Sequence, residues 1–268
     1  MTTTDNFTLF DFDEFSAWLF SHNVSRVIKL VQNHHTYIPG YAHFKGDNHI
    51  TLLKGMERSH LERGFAEIAQ NLTTFNDGKI ALCRSLDKIP AGIKGANQYG
   101  ICIENVGSFD LGQDVMTPVH KTLIVNLNAL LCKKFNLVPN TDTIVYHHWY
   151  DLTSGERTTD KSRTKTCPGT SFFGGNTIAD CQANFIPLVK GAMDNFAGTA
   201  TSAVESPGVK HGVVNVATLN VRAATNTNVP ILKVLHQGTP VAIYESDNGW
   251  YRIDAGQQWV KSDFVDLS

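Results

Sequence analysis

The sequence is poor in charge. Only 18% of its 268 residues are Asp, Glu, Lys or Arg, and 23 basic against 25 acidic side chains leave a formal charge of -2. A protein that binds nucleic acid by neutralising many phosphates needs a basic excess, so no nucleic-acid partner is expected, nor a polybasic membrane surface. Long apolar runs are missing too. None approaches the roughly 20 residues a helix needs to cross a bilayer, and no membrane insertion is expected. The first twenty residues hold Asp5, Asp11, Asp13 and Glu14 but no lysine or arginine. They lack the basic start and apolar middle of a secretory signal, so the expectation is synthesis in the cytoplasm without a signal peptide. Cysteine is sparse and odd in number: Cys83, Cys102, Cys132, Cys167 and Cys181 are widely scattered. That spacing argues against a disulfide-stapled framework and leaves at least one thiol free for other chemistry.

What is present describes a folded chain. Hydrophobic residues make up 42% of the sequence, and the length suits one large domain or two unequal ones at about 150 residues per domain. The run 197–210, AGTATSAVESPGVK, is small, polar and interrupted by a Pro-Gly pair, which is linker composition. The expected division is therefore 1–196, a linker at 197–210, and 211–268. In the first part a helical pattern over Phe12 to Phe20 gives way to a β-branched run, Val24 to Val31, read as a strand. Asn76-Asp77-Gly78 reads as a hairpin turn, and strands are expected at Gly100 to Glu104 and Thr143 to His147. Thr117 before Pro118 is a helix N-cap and first-turn pair, followed by Val119, Leu123, Ile124, Leu127, Leu130 and Leu131 at helical spacing. Strands alternating with helices give an α/β or α+β domain. After the linker only short strand-like runs remain, among them Val241 to Tyr244 and Trp250 to Ile253, as in a small β-barrel.

Four of the eleven histidines form two adjacent pairs at expected strand ends: His34-His35 and His147-His148. Adjacent side chains of an extended chain point to opposite faces, so one member of each pair can enter a given site while the other packs or is solvated. Cys167 lies in TKTCPG, where Pro168-Gly169 favours a turn that holds the thiolate on a loop. Two imidazoles and one thiolate with an open fourth position are the donor set of a catalytic zinc. The same histidines could also simply cap strands, with Cys167 a small buried apolar residue. If Lys165 and Cys167 are extended, they share a face, and the Lys165 ammonium lies beside the metal where an oxyanion would form.

Five pieces stand in one order: His34-His35-Thr36; His60-Leu-Glu-Arg-Gly64-Phe65 with Asn76-Asp77-Gly78 downstream; Gly100-Ile-Cys-Ile-Glu104; Ile144-Val-Tyr-His147; and Lys165-Thr-Cys167-Pro168-Gly169. In that order, over Val27 to Phe185, the chain resembles the zinc N-acetylmuramoyl-L-alanine amidases, the class of the phage lysozyme-type amidases and peptidoglycan recognition proteins. The resemblance implies a mixed β-sheet flanked by helices, a zinc ion held by His34, His147 and Cys167, and Lys165 as the catalytic lysine. The His147 to Cys167 loop is longer than in the phage enzyme, which leaves His148 open as the second ligand. Gln70, in Glu67-Ile-Ala-Gln70-Asn71, stands where the family often has a tyrosine. A glutamine cannot act as a base, so Glu104, at the end of the apolar run, is the carboxylate expected to accept the water's proton.

The tail resembles a bacterial SH3 domain in Leu219-Asn220-Val221-Arg222, Gly238-Thr239-Pro240-Val241, Asn248-Gly249-Trp250-Tyr251 and Trp259-Val260. Such modules bind cell-wall peptides or glycans, and an exposed member of the pair Trp250 and Trp259 is the expected wall contact. The reading is a peptidoglycan hydrolase that cuts the amide between the lactyl group of N-acetylmuramic acid and L-alanine. The alternatives are a peptidoglycan-binding protein without hydrolysis, or the same chemistry delivered by a phage or contractile-injection apparatus.

Overall fold

The computed structural model describes residues 1–200, 210–253 and 258–267. The chain forms two compact units, Met1–Asp194 and Asn195–Ser268. The first is built on a seven-stranded sheet of β1 (Thr2–Thr4), β2 (Phe7–Phe10), β3 (Leu30–His35), β4 (Leu72–Thr74), β5 (Ile80–Leu82), β6 (Gly100–Asn105) and β7 (Ile144–Tyr146). Their order is β1-β2-β5-β4-β6-β3-β7. The sheet is mixed: β4, β6, β3 and β7 run parallel, whereas β5, β2 and β1 continue it antiparallel. Among the described residues no helix is long and apolar enough to cross a membrane.

Helices α1 (Phe12–Ser21), α2 (His49–Glu62) and α3 (Pro118–Lys134) flank the sheet, and a last helix, Ile186–Ala200, closes the unit. Thr117 caps α3 as its sequence demands, Oγ1 accepting from the His120 N–H at 3.2 Å, with Pro118 in the first turn. The strand alternation then sorts side chains by face. Asn33 exchanges two hydrogen bonds with Asn128 of α3, at 2.8 and 3.1 Å, so α3 covers that face of β3. His34, one residue on, points the other way, towards α2. There Leu53 and Met56 pack with Phe7, Ile68, Phe75, Ala81, Cys83 and Val106.

Three boundaries differ from the sequence expectation. The strand read over Val24 to Val31 starts only at Leu30, because the ladders to β6 and β7 begin at Gly100 and Ile144; just before it the Lys29 N–H donates to the Tyr99 carbonyl at 2.9 Å, on the 3-10 turn Asn97–Tyr99 that leads into β6. The Arg26 guanidinium instead reaches the carbonyls of Leu86 and Gly100 at 2.7 and 2.6 Å. The strand read to His147 stops at Tyr146, and His147–Trp149 form a single 3-10 turn. The last helix runs through Ala200, into the segment read as a linker, while residues 201–209 of that segment lie outside the described residues.

The second unit is strand-rich, as expected. β8 (Lys210–Val214), β9 (Thr218–Arg222), β10 (Ile231–His236), β11 (Pro240–Ile243), β12 (Glu245–Asp247), β13 (Trp250–Arg252), β14 (Trp259–Lys261) and β15 (Val265–Leu267) form two antiparallel sheets. Their orders are β10-β9-β14-β13-β12 and β11-β8-β15. Val214, Leu219, Val221, Val241, Ile243, Val260 and Val265 make the core. Trp250 and Trp259 are 4% and 6% exposed, so neither is the exposed wall contact expected of the pair. Alternation puts them on the face of β13 and β14 opposite the core residues Tyr251 and Val260, and Lys261 Nζ lies 5.3 Å from the Trp250 ring centroid.

A buried relay ties α3 to β3 in the first unit. Asn105 Nδ2 donates to the His34 carbonyl at 2.7 Å, so Asn105 Oδ1 accepts from Thr74 Oγ1, also at 2.7 Å. The one hydroxyl proton of Thr74 is then used, and its oxygen accepts from His120 Nε2 at 2.7 Å. His120 Nδ1 is left to accept from the Tyr41 hydroxyl at 2.8 Å, and that oxygen accepts from the Thr117 N–H at 3.3 Å. Every partner requires a neutral imidazole, and burial pushes the His120 pKa down to about 3. The unfolded imidazole takes up a proton below about 6.5, the native one only near 3, so acid stabilises the unfolded chain. Stability should be level above pH 6.5 and fall below it, by about 2 kcal/mol at pH 5 for this one group. Denaturant melts at pH 7.5 and 5 check this; a His120→Asn variant, weaker at pH 7.5, should show the smaller pH loss.

Candidate metal centre

The parallel register of the sheet assembles the site. His34 of β3 stands opposite Glu104 of β6, which stands opposite Thr73 of β4. On the other side, Asn33 pairs with Tyr146 of β7, so His147 follows beside His34. Cys167 arrives on a loop fastened to both neighbours. Its carbonyl accepts from the His148 N–H at 2.7 Å, and the Asp110 carboxylate holds the Thr166 hydroxyl and the Thr170 N–H at 3.0 Å each. Gly169, at φ +118°, lets this loop press on Phe109: a Cβ there would sit 2.4 Å from the Phe109 carbonyl oxygen.

His34 Nδ1 lies 3.2 Å from His147 Nδ1 and 3.5 Å from Cys167 Sγ, and the three donor atoms all fall within 4.8 Å of one another. Two nitrogens on a tetrahedral zinc with bonds of 2.0–2.1 Å are about 3.3 Å apart, and a nitrogen and a thiolate sulfur at 2.3 Å about 3.6 Å. The spacings at His34 match these edges. Burial drives the His34 pKa well below its ordinary value and that of His147 down to about 4, so both imidazoles are neutral, as ligands must be. Burial also raises the Cys167 thiol well above its ordinary range. A buried thiol of this kind ionises when a cation is bound to it. The residues present therefore fit a zinc ion.

The other members of the histidine pairs stand outside the donor cluster, His35 by strand alternation and His148 on the 3-10 turn that follows β7. His35 is buried, its Nδ1 accepting from the Phe109 N–H at 3.1 Å. His148 Nδ1 donates to the Lys165 carbonyl at 2.6 Å and stands outside the donor cluster. Glu104 Oε1 is 3.9 Å from His34 Nδ1, and its Oε2 is buried without a partner. Burial raises the Glu104 pKa to about 8, against the opposing pull of Lys165 and Arg63. Lys165 is exposed on the rim of the cleft. Gln70 is not at the site. It lies just before β4, fully buried, with Nε2 donating to Thr73 Oγ1 at 2.9 Å, and does not line the cleft.

The donors floor a cleft of about 910 Å³. One wall is α2 with Arg63 and Phe65, and the other is the turn Tyr37-Ile38-Pro39. Arg63 and Phe65 belong to the His60 to Phe65 piece singled out in the sequence, where no role is assigned to them, whereas the Tyr37-Ile38-Pro39 turn and Gly92 are not singled out there. A Cβ at Gly92 would lie 3.1 Å from His34 Nε2 and 2.3 Å from Gln32 Oε1, so the bare backbone lets the loop close behind the His34 ring. Nothing local marks this glycine apart from its place in the turn-rich run Pro90-Ala91-Gly92.

Comparison with known proteins gives two family matches: N-acetylmuramoyl-L-alanine amidase over residues 24–170, and bacterial SH3 domain over residues 217–266. Solved structures similar to this chain include the N-acetylmuramoyl-L-alanine amidase LysC from Clostridium intestinale URNW (21% identity, 56% of this chain and 82% of that one, TM-score 0.40). Others are Drosophila PGRP-LB (22%, 56% and 79%, 0.42) and the Ph2119 endolysin of a Thermus scotoductus MAT2119 bacteriophage (19%, 59% and 91%, 0.38). No curated protein matches the chain. The amidase match spans more than half of the chain and includes His34, Glu104, His147, Lys165 and Cys167, and the chain belongs to the N-acetylmuramoyl-L-alanine amidase family, with a bacterial SH3 domain behind it.

Proposed function

We propose that this chain is a zinc-dependent peptidoglycan hydrolase that cuts the amide joining the lactyl group of N-acetylmuramic acid to L-alanine of the stem peptide. The observation that carries the reading is the His34, His147 and Cys167 cluster, spaced for a tetrahedral ion on the floor of an open cleft, in a chain of the amidase family. Three protein ligands leave a fourth position, the arrangement of a catalytic and not a structural site. When bound, zinc supplies a Lewis acid for the scissile carbonyl and makes water nucleophilic near neutral pH.

The protein's own groups do the rest. Glu104, with one oxygen facing His34 and the other unpartnered, is placed to take the attacking water's proton and pass it to the leaving alanine nitrogen. Its burial-raised pKa suits proton exchange, and a cation held at the neighbouring donors favours the carboxylate form. Lys165, on the rim beside Cys167, stabilises the oxyanion of the tetrahedral intermediate, a contribution of roughly 3 kcal/mol for a single donor. We read the SH3 unit as a second attachment to the wall, which raises local substrate concentration without adding contacts at the cleft.

Mass spectrometry of digested sacculi tests the bond. Free stem peptides beginning with L-alanine are expected, and cleavage products retaining the muramoyl-alanine link would refute the assignment. Elemental analysis should find about one zinc per chain, lost in a His34→Ala, Cys167→Ala double variant. Glu104→Gln should keep the zinc and the fold yet lower turnover about a hundredfold or more, the scale of general-base loss. Turnover within threefold of the parent would remove Glu104 from the mechanism.

A further inference from the structure

His148 is outside the donor cluster, yet it bonds twice to the segment that carries Lys165 and Cys167. Its backbone N–H donates to the Cys167 carbonyl at 2.7 Å, and its Nδ1 lies 2.6 Å from the Lys165 carbonyl. A carbonyl only accepts, so Nδ1 carries a proton and the ring is the donor. Thr164 Oγ1 stands 3.2 Å from the same nitrogen and turns its own proton to the Lys161 carbonyl at 3.4 Å, which makes it a second acceptor for the ring. His147 and His148 share a 3-10 turn, in which successive side chains are rotated by about 120°. One ring therefore faces His34 while the next reaches the neighbouring loop.

The three residues of that segment are not held alike. Cys167 is fastened through its carbonyl to a backbone N–H. Thr166 is fastened twice, its hydroxyl on the Asp110 carboxylate at 3.0 Å and its carbonyl on Asn176 Nδ2 at 2.8 Å. Asn176 is itself buried, its carbonyl accepting from Trp149 Nε1 at 2.7 Å. Lys165 has less. Among the described residues the bond to His148 Nδ1 is the one hydrogen bond of its main chain, and its exposed side chain makes neither hydrogen bond nor ion pair. The loop before it is next tied to the body at Arg163, whose carbonyl accepts from the Leu152 N–H at 3.0 Å and whose Nε meets Asp151 at 2.5 Å.

We infer that His148 is a positioning residue: its imidazole holds Lys165 at the rim of the cleft, while Cys167, two residues on, is held without it. This rests on the role given to Lys165 in the amidase reading above. A single oxyanion donor is worth a factor of about 10²–10³ in kcat. Misplacing such a group by about 1 Å forfeits much of that factor. A lysine with a long flexible stem and an unpartnered ammonium takes its placement from its main chain, so the His148 ring controls the oxyanion donor without touching the metal donors.

The test uses the full-length protein and the variants His148→Asn, His148→Leu, Lys165→Met and the His148→Leu, Lys165→Met double variant. Asparagine and leucine have nearly the same shape, but only asparagine offers an N–H close to the position of Nδ1. Elemental analysis should find the parent's zinc content in all four, in contrast to its loss in His147→Ala. On a soluble muramoyl-tripeptide, His148→Leu should lower kcat roughly tenfold or more with KM within about twofold, and His148→Asn should recover most of the loss. In the Lys165→Met background His148→Leu should cost less than about twofold more, because the ring acts through Lys165. An unchanged kcat in His148→Leu, an equal loss in His148→Asn, or a full further loss in the Lys165→Met background overturns the inference. So does loss of zinc in His148→Leu, which would make His148 a ligand or a support of Cys167. Crystal structures of the parent and both His148 variants read the placement without turnover: the Lys165 main chain should shift in His148→Leu alone, with Cys167 in place, and an unmoved Lys165 overturns the inference. A parent that releases no peptide counts against the amidase reading, and the zinc contents and structures then decide the role of His148 by themselves.

Discussion

The whole site depends on the register of three parallel strands. Pairing His34 of β3 with Glu104 of β6, and Asn33 with Tyr146 of β7, puts one imidazole between a carboxylate and the residue that follows β7. A slip by one residue would turn His34 under α3 and exchange the faces of His34 and His35, because the side-chain period of a strand is two. Parallel pairing needs long crossovers, so residues far apart in sequence become neighbours at one end of the sheet. That end, where parallel strands finish, is where open α/β sheets commonly carry their ligand sites.

Around this register the structure invests in neutral, fully partnered polar groups. The relay from Thr117 through Tyr41, His120, Thr74 and Asn105 ends on the His34 carbonyl, so the N-terminus of α3 and the backbone of one metal donor are held by the same chain of bonds. Among the buried polar atoms left without partners, His34 Nε2 and Glu104 Oε2 lie at the site itself. Such atoms are uncommon in a protein interior, and these two stand beside the donor cluster.

Electrostatics separates the site from the rest of the molecule. The chain as a whole is sparsely and slightly negatively charged, yet the exposed charges of the cleft are cationic. Lys165 on the rim and Arg63 on the α2 wall give the cleft a positive local field in a chain whose net charge is -2.

Much of this was legible before folding. The Thr117-Pro118 cap, the Asn76-Asp77-Gly78 turn, β6 and the two-part organisation follow from local rules, since caps, turns and alternation are written within a few residues. The donor residues could be named because doubled histidines at strand ends and a turn-held cysteine stand in a recognisable order. Only the tertiary structure chose His147 over His148, since a 3-10 turn after Tyr146 and the bond from His148 to the Lys165 carbonyl decide which ring faces His34. It also moved Gln70 away from the site, buried both Trp250 and Trp259, and placed Arg63 and Gly92, which had no assigned role, in the lining of the cleft. The physical reason is common to all of these. Local sequence sets which face a side chain occupies, but which groups meet across that face is set by long-range register and packing, and no window of neighbouring residues contains it.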